Sequence, residues 1–260
     1  MTARRAPAAP PPFSCALPAK RSRNPAAGCD VLALGPHPDD VELVIGGTVA
    51  ACAKAGLRVV AVEMTRGESG TRGDAVTRER EACRAAKILG LAARENLGLP
   101  DAHLEFTLAY RHAVADAIRR HRPDVVLAPW YEDAHPDHAI AGRLVQAAFF
   151  EARLKKLAGP EGAWFARLLY YYPCRNYRHP DLVVDVTDVW ALKKRAMYAH
   201  RSQVGSRSVR AAGSSDVFAN VEFRDRHYGA LIGRPFGEGL LASAPLPVTD
   251  PRQLLFGGRT

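Results

Sequence analysis

Apolar positions along this chain fall into short runs separated by stretches with helical spacing. The run Val31-Leu32-Ala33-Leu34 is continuous rather than alternating, the pattern of a strand covered on both faces. Largely apolar runs at 58–64, 125–128, 167–172 and 182–186 predict further strands, and a short one is expected near 95–97. Helical spacing predicts helices over 41–55, 76–89, 110–121 and 139–157, and a last one from an N-cap at Thr187 or Asp188 to residue 201. Gly56 and Gly90 stand just past two of them, where a left-handed backbone ends a helix at no steric cost.

This alternation predicts one α/β domain, Rossmann-like, with a mostly parallel sheet and helices on both faces. In such a sheet the ligand site lies beyond the carboxyl ends of the strands, where strand order reverses. In the common 3-2-1-4-5 order, strands 31–34 and 125–128 are neighbours at that reversal.

Composition narrows the function classes. Residues 1–29 are rich in Pro, Ala and Arg, contain no acid and few large apolar groups, and are expected to be a disordered tail. The segment lacks the apolar core of a secretory signal. Residues 30–260 then form the domain. Five of the nine net positive charges sit in the tail (Arg4, Arg5, Lys20, Arg21, Arg23), so the domain itself gives little reason to expect nucleic acid. No apolar stretch approaches the roughly 18 residues of a spanning helix, so no membrane is expected. Five scattered cysteines (Cys15, Cys29, Cys52, Cys83, Cys174) without a C-x-x-C fit free thiols and a cytoplasmic protein.

The candidate chemistry stands at two strand ends. His37-Pro38-Asp39-Asp40 follows the first strand, and His135-Pro136-Asp137-His138 follows the fourth. Either cluster alone reads as a turn with a helix N-cap. Together they supply donors for a divalent metal and leave a carboxylate over. His37 and Asp40 converge across a strand-to-helix turn, and His138 completes a set of three that leaves open positions for water, as catalytic zinc requires. One zinc per chain is expected, or iron in a cell. Asp39 is then free to accept the proton of the attacking water. His135, as imidazolium, would stabilise the oxyanion or protonate the leaving amine, with Asp137 raising and orienting it. Arg66, Arg72 and Arg78 surround a Gly-rich loop that should border the metal, where they read equally as substrate contacts or solvated charge; Arg78 could also pair with Glu79 or Glu81. Gly46-Gly47 reads as close packing, Tyr170-Tyr171-Tyr172 as sheet packing, and His200 as surface or structural.

With those residues in view, the chain resembles the PIG-L/LmbE-like family of zinc-dependent N-acetylglucosamine deacetylases. Pro36-His37-Pro38-Asp39-Asp40-Val41-Glu42 and His135-Pro136-Asp137-His138 match its two signatures, and the similarity runs from about residue 31 to 238. Within the family the segments 65–73, 86–91, 96–101 and 198–203 are most similar to the bacillithiol-pathway deacetylases. The resemblance implies zinc on His37, Asp40 and His138, Asp39 as base, His135 as catalytic histidine and Arg78 as a substrate contact. Some relatives support the oxyanion with a mobile tyrosine. The matching region, 214–220, offers Val217 and Phe218 and no tyrosine.

The implied reaction is removal of the acetyl group from an N-acetylglucosaminyl conjugate, N-acetylglucosaminyl-malate first, whose carboxylates the three arginines would grip. A homo-oligomer is expected. A mycothiol-type conjugate, free N-acetylglucosamine and a non-catalytic metal-binding module remain alternatives.

Overall fold

The computed structural model describes residues 14–17, 28–204 and 217–246. Among these, eight strands form one sheet: β1 (Ser14–Ala16), β2 (Cys29–Gly35), β3 (Val59–Thr65), β4 (Ala93–Leu99), β5 (Pro123–Pro129), β6 (Leu168–Tyr172), β7 (Leu182–Asp185) and β8 (Gly237–Ala242). Their order is β1-β4-β3-β2-β5-β6-β8-β7. The central run β4-β3-β2-β5-β6 is parallel and is the expected 3-2-1-4-5 arrangement, with β2 and β5 at the reversal.

The continuous apolar run of β2 is explained by its two covered faces. Leu32 and Leu34 join a core with α3 (Leu108–His121) and α4 (Pro136–Glu151). Val31 and Ala33 join a second core with α1 (Asp40–Lys54), α2 (Ala75–Leu89) and α5 (Trp190–Met197). The tyrosines of β6 pack as expected: Tyr171 and Tyr172 are buried, and the Tyr172 hydroxyl donates to the Leu34 carbonyl at 2.6 Å. No helix among the described residues is long and apolar enough to cross a membrane.

Several expectations change. Within the stretch read as a disordered tail, Ser14–Ala16 pair antiparallel with β4, because an edge strand offers unpaired backbone groups to any neighbouring segment. The helix over 139–157 instead ends at Glu151. Arg119 donates to the carbonyls of Glu151 (2.8 Å) and Ala152 (3.2 Å), and a short 3-10 turn follows at Lys155–Leu157. The helix expected over 187–201 is three pieces: a 3-10 turn Thr187–Val189, α5, and α6 (Arg201–Val204). The antiparallel strand β8, inserted between β6 and β7, and α7 (Val217–Leu231) were not expected at all.

Helix α1 is broken. Ile45 has non-helical torsions (φ −124°, ψ 22°), so the groups that an unbroken helix would pair look elsewhere. The N–H groups of Gly47 and Thr48 donate to the Glu238 carboxylate of β8 at 2.8 and 2.6 Å. The Leu43 carbonyl accepts from Arg224 of α7 at 2.6 Å, and the Val44 carbonyl from Lys193 of α5 at 3.3 Å. Lys193, fully buried, also bridges Asp225 and Glu238, each at 2.6 Å. Gly47 is required here, since a Cβ would stand 2.6 Å from Cβ of Val186. The close-packing expectation for Gly46-Gly47 is met.

Candidate active site

The loops after β2, β3, β4 and β5 close around a cavity of about 370 Å3 at the carboxyl ends of the strands. Its wall includes His37, Asp39, Asp40, Arg78, Asp101, His135, Asp137, His138 and His200. Both clusters read from the sequence therefore face one space, although 100 residues separate His37 from Asp137.

His37 is gripped by carboxylates. Its Nδ1 lies 3.0 Å from Asp40 Oδ2, and its Nε2 lies 3.1 Å from both Asp101 and Asp137. Burial favours the neutral ring, but hydrogen bonds to Asp101, Asp137 and Asp40 win and push its pKa up to about 12. Asp40 also faces Nε2 of His138 at 3.3 Å. Burial opposes its ionisation, yet His138 and His37 hold its pKa well below the usual carboxylate range. One donor atom each of His37, Asp40 and His138 lies within 4.8 Å of the others.

Asp39 precedes α1 but makes no capping hydrogen bond. Its carboxylate instead accepts from Arg78 Nη2 at 3.1 Å. Burial, then the adjacent Asp40 charge, raises its pKa, while Arg78 pulls the other way. A raised carboxylate pKa is what proton abstraction near neutral pH needs. Arg78 is fixed by a second bond, to the Gly67 carbonyl at 2.9 Å. It lies flat on Gly67, where φ is +66° and a Cβ would come within 1.8 Å of its Nη1. Of the pairings open to Arg78, the structure selects Asp39 over Glu79 and Glu81.

His135 departs from expectation. The Asp137 carboxylate hydrogen-bonds to His37 (3.1 Å) and the Ala102 N–H (2.9 Å) and not to His135, although it stays within 4.8 Å of that ring. His135 Nδ1 instead accepts from the Asp137 N–H at 3.2 Å, which assigns a neutral ring with its proton on Nε2. Burial, then His138 and His37, lowers its pKa. Arg66 and Arg72 also depart: neither lines the cavity. Arg66 pairs with Glu79 of α2 at 3.3 Å, and Arg72 is exposed. Arg175, which the sequence did not single out, stands at the rim.

A family model described as "PIG-L: GlcNAc-PI de-N-acetylase" matches residues 32–149, a span that includes both clusters. The diacetylchitobiose deacetylase of Thermococcus kodakarensis is 31% identical over 81% of this chain and 81% of its own length. The chain belongs to the PIG-L family. Another relative, a probable N-acetyl-alpha-D-glucosaminyl L-malate deacetylase 2 of Bacillus anthracis, is 32% identical over 75% of this chain and 92% of its own. The solved structure of a conserved protein from Thermus thermophilus superposes with a TM-score of 0.78 at 35% identity, covering 85% of this chain and 97% of that one.

Within this PIG-L fold, the site residues to which the sequence assigned no role are, besides Arg175, Asp101, Asp133 and His200. Asp101 positions the loop after β3 by accepting from the Ser69 N–H at 2.8 Å. Asp133 accepts from the N–H groups of His135 (2.8 Å) and Arg175 (2.9 Å). His200, read as surface or structural, is buried in the cavity wall, 3.4 Å from Glu42. The signals for them were the family-like segments 96–101 and 198–203, which hold Asp101 and His200, and for Asp133 its place two residues before His135.

Proposed function

We propose that this chain is a metal-dependent N-deacetylase of N-acetylglucosaminyl conjugates. The observation that carries the reading is the meeting of His37, Asp40, His138 and a non-capping Asp39 in one cavity.

The donor set fits a divalent cation. Asp40, Asp101 and Asp137 all converge on His37 at 3.0–3.1 Å, a concentration of part-buried anionic oxygen that a divalent cation would balance. His37, Asp40 and His138 would hold the ion, with zinc the metal that two imidazoles and a carboxylate suit. Such an ion supplies Lewis acidity and a water that deprotonates near neutral pH.

The remaining steps belong to the chain's own residues. Asp39 accepts the proton of the attacking water, held in register by Arg78. His135, neutral with its proton on Nε2, donates a hydrogen bond to the oxygen that becomes negative as the acetamide carbon turns tetrahedral. Asp39 then returns its proton to the glucosamine nitrogen as the C–N bond breaks, releasing acetate and the free amine.

For the aglycone, N-acetylglucosaminyl-malate is the substrate that the sequence suggests, with Arg175 at the rim as the guanidinium for a malate carboxylate. A neutral disaccharide such as N,N'-diacetylchitobiose is favoured instead by the position of Arg66 and Arg72 outside the cavity. The relatives described above support each in turn. The test is acetate release from both compounds with metal-loaded protein and with Asp39→Asn as control. The reading expects metal-dependent acetate with matching free amine from at least one compound. Equal acetate from the Asp39→Asn control, or none from either compound, overturns it.

A further inference from the structure

The wall behind the cavity holds a second group of metal-type donors that the proposed reaction does not use. His138 turns Nε2 towards Asp40, while its Nδ1 points the other way, buried and without a hydrogen-bond partner. On that side Asp133 Oδ1 lies 3.7 Å off, beyond hydrogen-bond reach. Cys174, in the loop after β6, completes the group. One donor atom each from Asp133, His138 and Cys174 lies within 4.8 Å of the others. The thiol's contact with the Tyr172 carbonyl is long, at 3.9 Å. Burying an imidazole nitrogen without a partner is costly, and a cation seated among these three atoms removes that cost.

We propose that Asp133, His138 and Cys174 form a second, thiophilic metal site that shares the imidazole of His138 with the first. This inference rests on His138 being a ligand of the first ion. The donor set is sulfur, nitrogen and oxygen with a fourth position left for water, which suits zinc or cadmium and not magnesium or calcium. Asp133 is already oriented, because Oδ1 and Oδ2 are each fixed by a backbone N–H and each keep a free lone pair. Binding replaces the thiol proton of Cys174 and the Nδ1 proton of His138 with the metal, releasing two protons, and makes His138 a bridging imidazolate. A bridging imidazolate donates more charge to the first ion and weakens its Lewis acidity. Asp133 also steadies His135, so the same event disturbs the group facing the oxyanion. Metal beyond one equivalent therefore inhibits.

The experiment is a cadmium titration of metal-depleted full-length protein, followed by sulfur-to-metal charge-transfer absorption and by equilibrium dialysis. Turnover is then measured at one equivalent of zinc and in excess zinc. Wild type should bind a second equivalent with a charge-transfer band and lose turnover in excess zinc. Cys174→Ser should keep turnover at one equivalent, lose the band, and weaken the second equivalent by ~100-fold or more, the upper end for loss of a supporting group. It should also resist excess zinc. Cys83→Ser, the thiol control on α2, should behave as wild type. A second equivalent and inhibition that survive in Cys174→Ser overturn the proposal, as does a wild type saturating at one equivalent without a band. Failure of the first equivalent would count against His37, Asp40 and His138 as ligands, and the band would still decide Cys174.

Discussion

Substituting Glu63 by Gln should change how stability depends on pH. Glu63 of β3, Glu42 of α1 and Arg94 of β4 are fully buried together. Arg94 donates to Glu63 Oε1 at 2.7 Å and also pairs closely with Glu42. Glu63 Oε2, by contrast, is buried without a partner. One guanidinium is thus shared by two carboxylates, and burial, with Glu42 adding to it, raises the Glu63 pKa to about 8. Burial disfavours charge on Glu42 too, but Arg94 and then His200 outweigh it and hold its pKa at about 2. The folded state therefore keeps a proton on Glu63 that the unfolded chain gives up near its ordinary value of 4.5. Folded protein binds the extra proton between those values, so this group's contribution to stability is present at low pH and is lost as pH rises towards 8. At roughly 1.4 kcal/mol per pH unit, the loss between pH 5 and pH 8 is on the order of 4 kcal/mol. Glu63→Gln mimics the protonated group and carries no such dependence. Urea unfolding of both proteins at pH 5, 7 and 8 should show the variant gaining on wild type by several kcal/mol as pH rises. A difference that stays constant across that range would mean that Glu63 ionises normally and that Arg94 neutralises both carboxylates.

Other outcomes follow from the same geometry. Asp39→Asn should retain bound metal by elemental analysis and lower kcat by roughly 100-fold, the scale of a lost general base, whereas Asp40→Ala should lose the metal itself. Normal turnover in Asp39→Asn would return that residue to a structural role. Arg78→Ala, which frees both Asp39 and the Gly67 carbonyl, should lower kcat by about 10–100-fold, from the 1.5–3 kcal/mol typical of hydrogen bonds to charged groups. A change confined to KM would place Arg78 on the substrate alone. Lys193→Met leaves Glu238 buried without its cation and Asp225 with Arg224 alone, and should cost about 3–5 kcal/mol in chemical denaturation. A loss below ~1 kcal/mol, the scale of an exposed pair, would show that the two acids find other partners.

What could be read from the chain is what depends on short range. Apolar runs mark the parallel strands β2, β3, β5 and β6, and the placing of both His/Asp clusters after strands points to the reversal between β2 and β5. What escaped depends on partners far away in sequence. β8 carries Gly237, Glu238 and Gly239 in its first three positions, a composition that reads as a loop; it is a strand because β6 and β7 offer it backbone partners on both sides. His200 looked isolated because its neighbour Glu42 is on the first helix. Arg66 and Arg72 were grouped with Arg78 by proximity along the loop, but only Arg78 has an acceptor pair, Asp39 and the Gly67 carbonyl, to draw it inward. The adjacency of Asp137 along the chain predicts a charged His135, but hydrogen-bond partners are set in space and not by sequence distance. The Asp137 carboxylate had a more basic ring to serve in His37.

The break at Ile45 divides the labour within α1. The piece from Asp40 to Val44 is little more than one turn, and its carbonyl end is bolted to Arg224 and Lys193. Bending or lengthening of the downstream piece is absorbed at Glu238, which caps that piece separately. Asp39 and Asp40 thus ride on a stub insulated from the far end of their own helix. Tolerance to insertion should therefore differ sharply on either side of residue 45, and a deep insertion scan would see a step there where a continuous helix would show a gradient.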